Sequence, residues 1–174
     1  DIYILGSWAI EFKEENGKCK PTFLRKVPLE EKYIHRLFHY RNPFVHPSVV
    51  FRTEVFAELG LYNSMYKSSQ DLELWARAFK LGIGVANFPK PLIYYHASNV
   101  ESKRRDLLSV TRFAKALFSY NTFSPYLNLL KVMSVCFRLL PNEIKKWGYQ
   151  HLRTIHIVDY EHSHEESVTK NVMK

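Results

Sequence analysis

Hydrophobic residues recur along the first quarter of the chain with periods that predict a β-hairpin followed by a helix. Residues 2–12, IYILGSWAIEF, form an extended apolar run whose Gly-Ser pair is typical of a bulge or a close backbone approach. The segment EENGK at 14–18 centres a turn on Asn-Gly, which predicts a return strand at about residues 19–27. Residues 29–41 predict a helix, because their apolar side chains recur at helical spacing. Those side chains are Leu29, Tyr33, Leu37 and Tyr40.

The middle of the chain predicts three short strands and one short helix. Pro43 and Pro47 keep the residues before them, Asn42 and His46, out of the α conformation. Residues 48–52, SVVFR, then predict a short buried strand. The other elements are a helix at 53–60, with Thr53 as its N-cap and Gly60 as its end, and strands at 83–89 and 91–98.

A strongly amphipathic helix is predicted over residues 69–81. One face is apolar and the opposite face is polar, which is typical of a helix packed on a core. The apolar face carries Leu72, Trp75, Ala76 and Phe79, and the face expected in water carries Gln70, Glu73, Arg77 and Lys80. Asp71 lies in the first turn, at the margin between the two faces.

The position of Asp71 has two interpretations. Ser68 and Asp71 fit a capping box, and the helix dipole stabilises an acid in the first turn. Alternatively, the helix presents an ionised carboxylate to a cleft, where it accepts a proton from an attacking hydroxyl as a general base. The spacing alone does not choose between a cap and a base.

His46 and His96 are two further candidates for chemistry. His46, held between two prolines, is either a turn residue bonded to the backbone or a substrate contact. His96 ends an apolar strand before a polar run, and is either a surface histidine or a phosphate or metal contact. Neither histidine has the spacing to another ligand that a zinc motif requires.

The last third of the chain changes to helical patterns. An apolar stripe predicts a helix at 101–120, and Pro125 begins a second helix, PYLNLLKVMSVCFRLL, that is apolar nearly all round. This helix contains Lys131 and Arg138 and is shorter than the roughly 20 apolar residues that span a bilayer. It is therefore either a buried core helix or part of a membrane-surface patch. The stripe of the first helix consists of Leu107, Val110, Ala114 and Leu117.

Positive charge is concentrated in this helical part. The chain has 25 Lys/Arg and 17 Asp/Glu, a net charge of +8, and residues 103–153 hold ten Lys/Arg against only Asp106 and Glu143. This excess predicts an anionic partner, such as lipid headgroups or a phosphorylated substrate. Nucleic acid is not expected, because none of the common reader motifs occurs. Cys19 and Cys136 form neither a disulfide framework nor a metal motif, which favours a reducing compartment.

Several stretches, taken in order, resemble the C-terminal half of bacterial family-2 glycosyltransferases, which have the GT-A fold. They are NPFVHPSVVFRTEVFAELGLYN, then SSQDLELWARAFKLGIGVANFPKPLIYYHASNVESKR. The family pattern runs from Asn-Pro-x-x-His-Pro through Gly-x-Tyr-Asn to a Glu-Asp pair that opens a helix of the form Asp-x-x-Leu-Trp-x-Arg. Here Gln70 replaces the Glu. The resemblance covers roughly residues 1–105 and implies a partial GT-A α/β fold with mixed short strands, followed by a helical region.

The resemblance also implies an activity and a set of site residues. The reaction is transfer of a sugar from a nucleotide-sugar to an acceptor hydroxyl, with inversion. Asp71 is implied as the catalytic base, and His96 as a metal or diphosphate contact. Acceptor contacts are implied for His46, Gln70, Trp75 and Arg77. We therefore expect the C-terminal part of a catalytic domain at 1–100, a basic helical region at 101–155 and a disordered tail at 156–174.

The Asp-x-Asp motif of the family does not occur in the 174 residues. The resemblance implies Mg²⁺ or Mn²⁺ in the intact enzyme, and such ions need oxygen ligands. The chain, which begins with Asp1 inside an apolar run, is therefore expected to be an inactive fragment that binds no metal tightly by itself. A homodimer that covers the edge left by the missing half is a further possibility.

The implied acceptor is a glycan or lipid-linked glycan of bacterial surface polysaccharide synthesis. The expected location is the cytoplasm, peripheral on the inner face of the plasma membrane. The alternative hypothesis is a non-enzymatic membrane-surface or protein-interaction module derived from the same fold.

Overall fold

Strand β1 (Ile4–Glu15) is the central strand of a four-stranded mixed sheet in the computed structural model, which describes residues 1–96, 107–141 and 144. Strands β2 (Lys18–Arg25) and β3 (Val50–Phe51) pair with it antiparallel, and β4 (Val85–His96) runs parallel to it. The helices are α1 (Glu31–Phe38), α2 (Val55–Leu59), α3 (Gln70–Lys80), α4 (Leu107–Ser119) and α5 (Pro125–Leu139). The predicted α/β class is confirmed. The predicted boundary near residue 100 and the tail at 156–174 lie outside the described residues.

The predicted hairpin is confirmed, and its turn shows why Asn-Gly is suited to it. Asn16 and Gly17 have φ values of 53° and 71°, as the common two-residue hairpin turn requires. The Gly-Ser pair of β1 marks both a close approach and an irregular register. A Cβ on Gly6 would collide with the Asn87 side chain, and the pairing of β1 with β4 shifts on both sides of Trp8.

Several predictions for the middle of the chain are wrong. Residues 83–89 and 91–98 were expected to form two strands, but residues 85–96 form one strand, because the β1–β4 register shifts absorb the prolines between them. The strand expected at 48–52 is only β3, whose Val50 is 61% exposed, since residues 46–48 form one turn of 3₁₀ helix instead. Thr53 does not cap α2, whose N-cap position is occupied by Glu54.

The buried face of α1 differs from the predicted stripe. Ile34 and Phe38 are buried, whereas Leu29, Tyr33 and Tyr40 are exposed. The reason is the position of the neighbouring aromatic residues. The Phe38 ring lies 5.3 Å from Phe79 of α3 and 5.9 Å from Tyr120, so the helix turns that face inwards.

Helix α3 lies at the centre of the main hydrophobic cluster. The predicted apolar face is confirmed, since Leu72, Trp75, Ala76 and Phe79 are all buried. Helix α4 adds Phe113, Ala116 and Leu117 to the same cluster, so this part of the helical region shares its core with the sheet part. Of the stripe predicted for α4, Val110 and Leu117 are buried, but Leu107 is 73% exposed. Helix α5 is not a buried core helix, because Lys131 is its only buried residue.

Candidate functional site

Asp71 is half-buried in the first turn of α3, and its carboxylate has a partner far away in the sequence. Its Oδ2 accepts a hydrogen bond of 2.6 Å from Nδ2 of Asn42, 29 residues earlier. The predicted capping box is wrong, because the helix begins after Ser69, which has a φ of 64°, and no side chain caps it. Ser68 Oγ is instead buried without a hydrogen-bond partner. The geometry thus directs Asp71 towards the Asn42 segment rather than towards its own helix terminus.

Both polar atoms of the Asn42 side-chain amide form hydrogen bonds, which fixes its orientation. Its Oδ1 accepts a hydrogen bond of 3.1 Å from the backbone N–H of Phe44, which is a local turn that asparagine commonly makes. The amide nitrogen therefore points to Asp71. A charge-assisted hydrogen bond of this kind is about twice as strong as a neutral one, and it restricts the orientation of the carboxylate.

His46 and Tyr62 lie beside this pair. His46 Nε2 and the Tyr62 hydroxyl are 3.0 Å apart, and the imidazole ring lies 6.3 Å from the Trp75 ring. Burial and, secondarily, the negative charge of Asp71 raise the pKa of Tyr62 above its usual value. The phenol is therefore protonated at neutral pH, and it lies close enough to Asp71 to sense its charge.

The segment that carries Asn42 and His46 is tied to the sheet at two points. Ser48 Oγ accepts a hydrogen bond of 2.9 Å from the backbone N–H of Ser7 in β1. Asn87 of β4 is buried and donates through Nδ2 to the carbonyl of Pro43 at 3.1 Å. Strands β1 and β4 thus fix where the imidazole and the amide stand relative to α3.

Trp75 packs between the hydrophobic core and the His46 ring. Its side chain is fully buried, tilted against Phe44 at 4.8 Å and stacked on Phe51 at 5.8 Å between ring centroids. Its indole Nε1 is buried without a hydrogen-bond partner. Because the indole is fully buried, its edge-to-face contact with His46 restricts the position of the imidazole ring.

Glu73 and Arg77 do not lie on a solvent-exposed face, so that part of the helix prediction is wrong. Glu73 is buried, and its Oε1 accepts a hydrogen bond of 2.8 Å from Arg77 Nε. The other guanidinium nitrogens of Arg77 donate to the carbonyls of Leu59 and Leu61, the latter at 2.8 Å. This side of α3 is covered by the turn after α2, and Arg77 fastens that turn directly before Tyr62.

Gln70 and His96 complete the set of residues singled out from the sequence. Gln70 is the half-buried first residue of α3, next to Asp71. His96 lies at the other end of the sheet, where it pairs with Phe12 and stacks on its ring at 5.0 Å. Phe12 is about 16 Å along β1 from Ser7, the strand residue bonded to the His46 segment. The structure therefore brings Asp71, His46, Gln70 and Trp75 together, and leaves His96 apart.

Two members of the cluster, Asn42 and Tyr62, are absent from the sequence-based candidates. Both lie in the stretches that carry the family resemblance, the first in Asn-Pro and the second in Gly-x-Tyr-Asn. These motifs were the sequence signal that could have identified both residues as members of the site. Their roles become visible only when the distance to Asp71 is known, because both residues come from other segments of the chain.

The cluster does not match a divalent cation site. Within residues 1–96, 107–141 and 144, no group of three or more His, Cys, Asp or Glu side chains could hold a metal ion. Asp71 is the one carboxylate among the six residues of the cluster, whereas Mg²⁺ prefers an octahedron of oxygen ligands. Across the same part of the chain, no helix is long and apolar enough to cross a membrane.

Comparison with known proteins identifies a relative. The chain is 36% identical over 106 residues to the amylovoran biosynthesis glycosyltransferase AmsE of Erwinia amylovora. The aligned region covers 60% of this chain and 38% of the length of AmsE. No protein-family model matches the chain. No solved structure matches it either.

Proposed function

We propose that this chain is the acceptor-side half of an inverting family-2 glycosyltransferase with a GT-A fold, acting in bacterial surface polysaccharide synthesis. The observation that carries the proposal is the placement of Asp71, a half-buried carboxylate oriented by Asn42 and bordered by His46 and Tyr62. The similarity to AmsE, named as a glycosyltransferase of amylovoran biosynthesis, supports the reaction class.

In this proposal Asp71 is the general base. Its Oδ2 is engaged by Asn42, and its other oxygen accepts the proton of the acceptor hydroxyl. As the proton leaves, the hydroxyl oxygen forms a bond to the anomeric carbon of the donor sugar. The bond from that carbon to the diphosphate oxygen breaks, and the nucleoside diphosphate departs with the electron pair. A single displacement of this kind inverts the anomeric carbon, and a positioned base contributes about 10²- to 10⁴-fold to the rate.

The neighbouring side chains have separate roles in binding the acceptor. His46 and Tyr62 provide an imidazole and a phenol for hydrogen bonds to sugar hydroxyls, and Gln70 provides an amide beside the base. Trp75 fixes the His46 ring by packing, because its own side chain is fully buried. Arg77 is a positioning residue that holds the turn before Tyr62. For His96, contact with a metal or diphosphate stays a prediction of the resemblance.

The donor side is proposed to lie outside these 174 residues. The nucleotide-sugar and its Mg²⁺ or Mn²⁺ need a cluster of oxygen ligands that the described cluster does not offer, so the chain alone is proposed to be inactive. The metal supplies charge neutralisation of the diphosphate when it is bound. The proposed location is the inner face of the plasma membrane, where a glycan or lipid-linked acceptor is available. We also propose a homodimer, in which a second copy of the chain covers the edge left by the missing donor side.

The test compares three proteins for release of nucleoside diphosphate from a panel of nucleotide-sugars with glycan acceptors. They are the 174-residue chain, the same chain joined to the part of AmsE outside the matched region, and AmsE itself. We expect no turnover by the chain and transfer by the chimera. Turnover by the chain alone would refute the missing donor side. A folded but inactive chimera, beside active AmsE, would refute the acceptor-side assignment.

A further inference from the structure

In helix α5 the charged side chains face the protein and the apolar side chains face outwards, the reverse of the usual amphipathic helix. Its two basic residues point towards the protein rather than towards water. Lys131 is fully buried, and its Nζ donates to the carbonyl of Tyr120 and, at 3.1 Å, to Oδ1 of Asn121. The guanidinium carbon of Arg138 lies 3.4 Å from the centre of the Phe113 ring, a cation–π contact with α4.

The outward face of α5 is apolar along its whole length. Its residues recur every three or four positions, which aligns them on one side of a helix about 22 Å long. They are Tyr126, Leu129, Val132, Met133, Cys136, Leu139 and Leu140, all exposed, and the fully exposed Phe123 precedes them. Several adjoining large side chains, of which Met133 is 57% exposed, form the kind of patch that marks a protein or membrane interaction site. We call these eight residues the α5 face.

Charge decides which occupant suits the α5 face. Residues 107–141 contain no acid, and two of their four basic residues, Arg112 and Lys115, lie on α4 rather than among the inward-pointing residues of α5. The longer segment 103–153 has ten basic residues against two acids. A second copy of the chain would bring two such segments together, which like-charge repulsion opposes. An anionic lipid surface attracts the same segment, by about 1 kcal/mol for each Lys or Arg near it. An α5 of 15 residues is too short to span the bilayer, so it would lie in the plane of the surface.

We propose that the α5 face is the membrane-binding surface of this chain. The helix lies parallel to an anionic bilayer, with its apolar side chains about 5–10 Å into the boundary between headgroups and acyl chains. Phe123 and Tyr126 stand at the start of the helix, and aromatic side chains are favoured at that depth. Exposed Lys115 on α4 adds to the positive charge of the helical part of the chain. The α5 face rests on the membrane location of the proposed function, but vesicle binding does not require sugar transfer, so its test can fail or succeed independently of the proposed enzymatic activity.

The first experiment is co-sedimentation of the full 174-residue chain with vesicles of phosphatidylcholine alone or with added phosphatidylglycerol. The variant Leu129→Glu/Met133→Glu disrupts the α5 face. The matched control, Leu92→Glu/Tyr94→Glu, adds the same two negative charges at residues of β4 that are 63% and 68% exposed. We expect binding to anionic vesicles by wild type and control, and at least a tenfold loss for the double variant. Circular dichroism and thermal unfolding check that each variant is folded.

The two cysteines of the chain allow a second experiment, because one lies on the α5 face and the other on β2. A polarity-sensitive dye on Cys136, with Cys19 replaced by serine, reports the α5 face. The same dye on Cys19 of β2, with Cys136 replaced by serine, is the control, since both thiols are exposed. We expect a blue shift on adding anionic vesicles for the dye at Cys136 only.

Three outcomes would overturn the proposal. One is absence of wild-type binding to anionic vesicles at low salt. Another is equal binding by the double variant, which would mean that charge alone attaches the chain. The third is a dimer in sedimentation velocity that the double variant abolishes, without vesicle binding, which would make a second copy the occupant.

Discussion

Asn42 Nδ2 lies 2.6 Å from Oδ2 of Asp71, and this contact joins the start of α3 to a loop 29 residues away in sequence. The loop is tied to β1 and β4 through Ser48 and Asn87. The carboxylate is therefore oriented by the sheet and by a local turn, although it is attached to a helix. In the proposed reaction, a base that is held in this way needs little rearrangement when an acceptor arrives.

Asp71→Asn should abolish most sugar transfer. In an active preparation that contains this chain, such as the chimera with AmsE, we expect kcat to fall by a factor of about 10² to 10⁴, because the amide cannot accept the acceptor proton. Steady-state kinetics measure kcat, and thermal unfolding shows whether the fold is kept. Gln70→Ala is the neighbouring control and should act mainly on KM. An unchanged kcat in Asp71→Asn would remove Asp71 from the reaction.

The coupling between Asn42 and Asp71 can be measured on the chain itself, without activity. A double-mutant cycle with Asn42→Ala and Asp71→Ala should give an interaction free energy of about 1–2 kcal/mol, as for a hydrogen bond to a partly exposed charged group. Urea denaturation gives the four free energies of unfolding. Additive effects of the two substitutions would show that the contact contributes nothing to stability.

Arg77→Gln should destabilise the chain by about 2–3 kcal/mol. The substitution leaves the buried Glu73 without its partner and frees the carbonyls of Leu59 and Leu61. Lys80→Gln, on the same helix but exposed, is the matched control and should change the free energy of unfolding by less than about 0.5 kcal/mol. Equal free energies of unfolding for the two variants would contradict the anchoring role of Arg77.

The stability of the chain should fall between pH 6.5 and about pH 4, partly through His39. Burial first, then the nearby charges of Lys131 and His35, lower the pKa of His39 from 6.5 to about 4 in the folded chain. Between these values the unfolded chain binds more protons than the folded one, so acid favours unfolding. The full shift corresponds to an upper limit of about 3 kcal/mol.

The check is a series of urea denaturations across this pH range. His39→Gln should flatten the pH dependence, because the amide does not titrate. His96→Gln, at the exposed end of β4, controls for the loss of a histidine. His35, whose pKa burial also lowers against the opposing charge of Glu31, adds a second contribution that both variants retain. Identical pH dependence in His39→Gln and wild type would rule out His39 as a source.

The sequence by itself determined the local elements whose signals lie within a few residues. Asn16-Gly17 specified the hairpin turn, because both residues readily adopt positive φ, and the period of α3 specified which of its faces meets the core. The continuity of β4 escaped prediction, because its pairing with β1, with register shifts on both sides of Trp8, carries the strand past the prolines.

Tertiary structure decided everything that depends on which segments meet. Only packing covers the second face of α3, which turns two residues predicted to be solvent-exposed into an ion pair between the buried Glu73 and the half-buried Arg77. Only packing turns the basic residues of α5 inwards and leaves its apolar face outside. The cluster around Asp71 likewise joins three segments that are separated along the chain. A periodic pattern records the preference of a side chain within its own helix, whereas burial depends on a neighbour that the pattern does not contain.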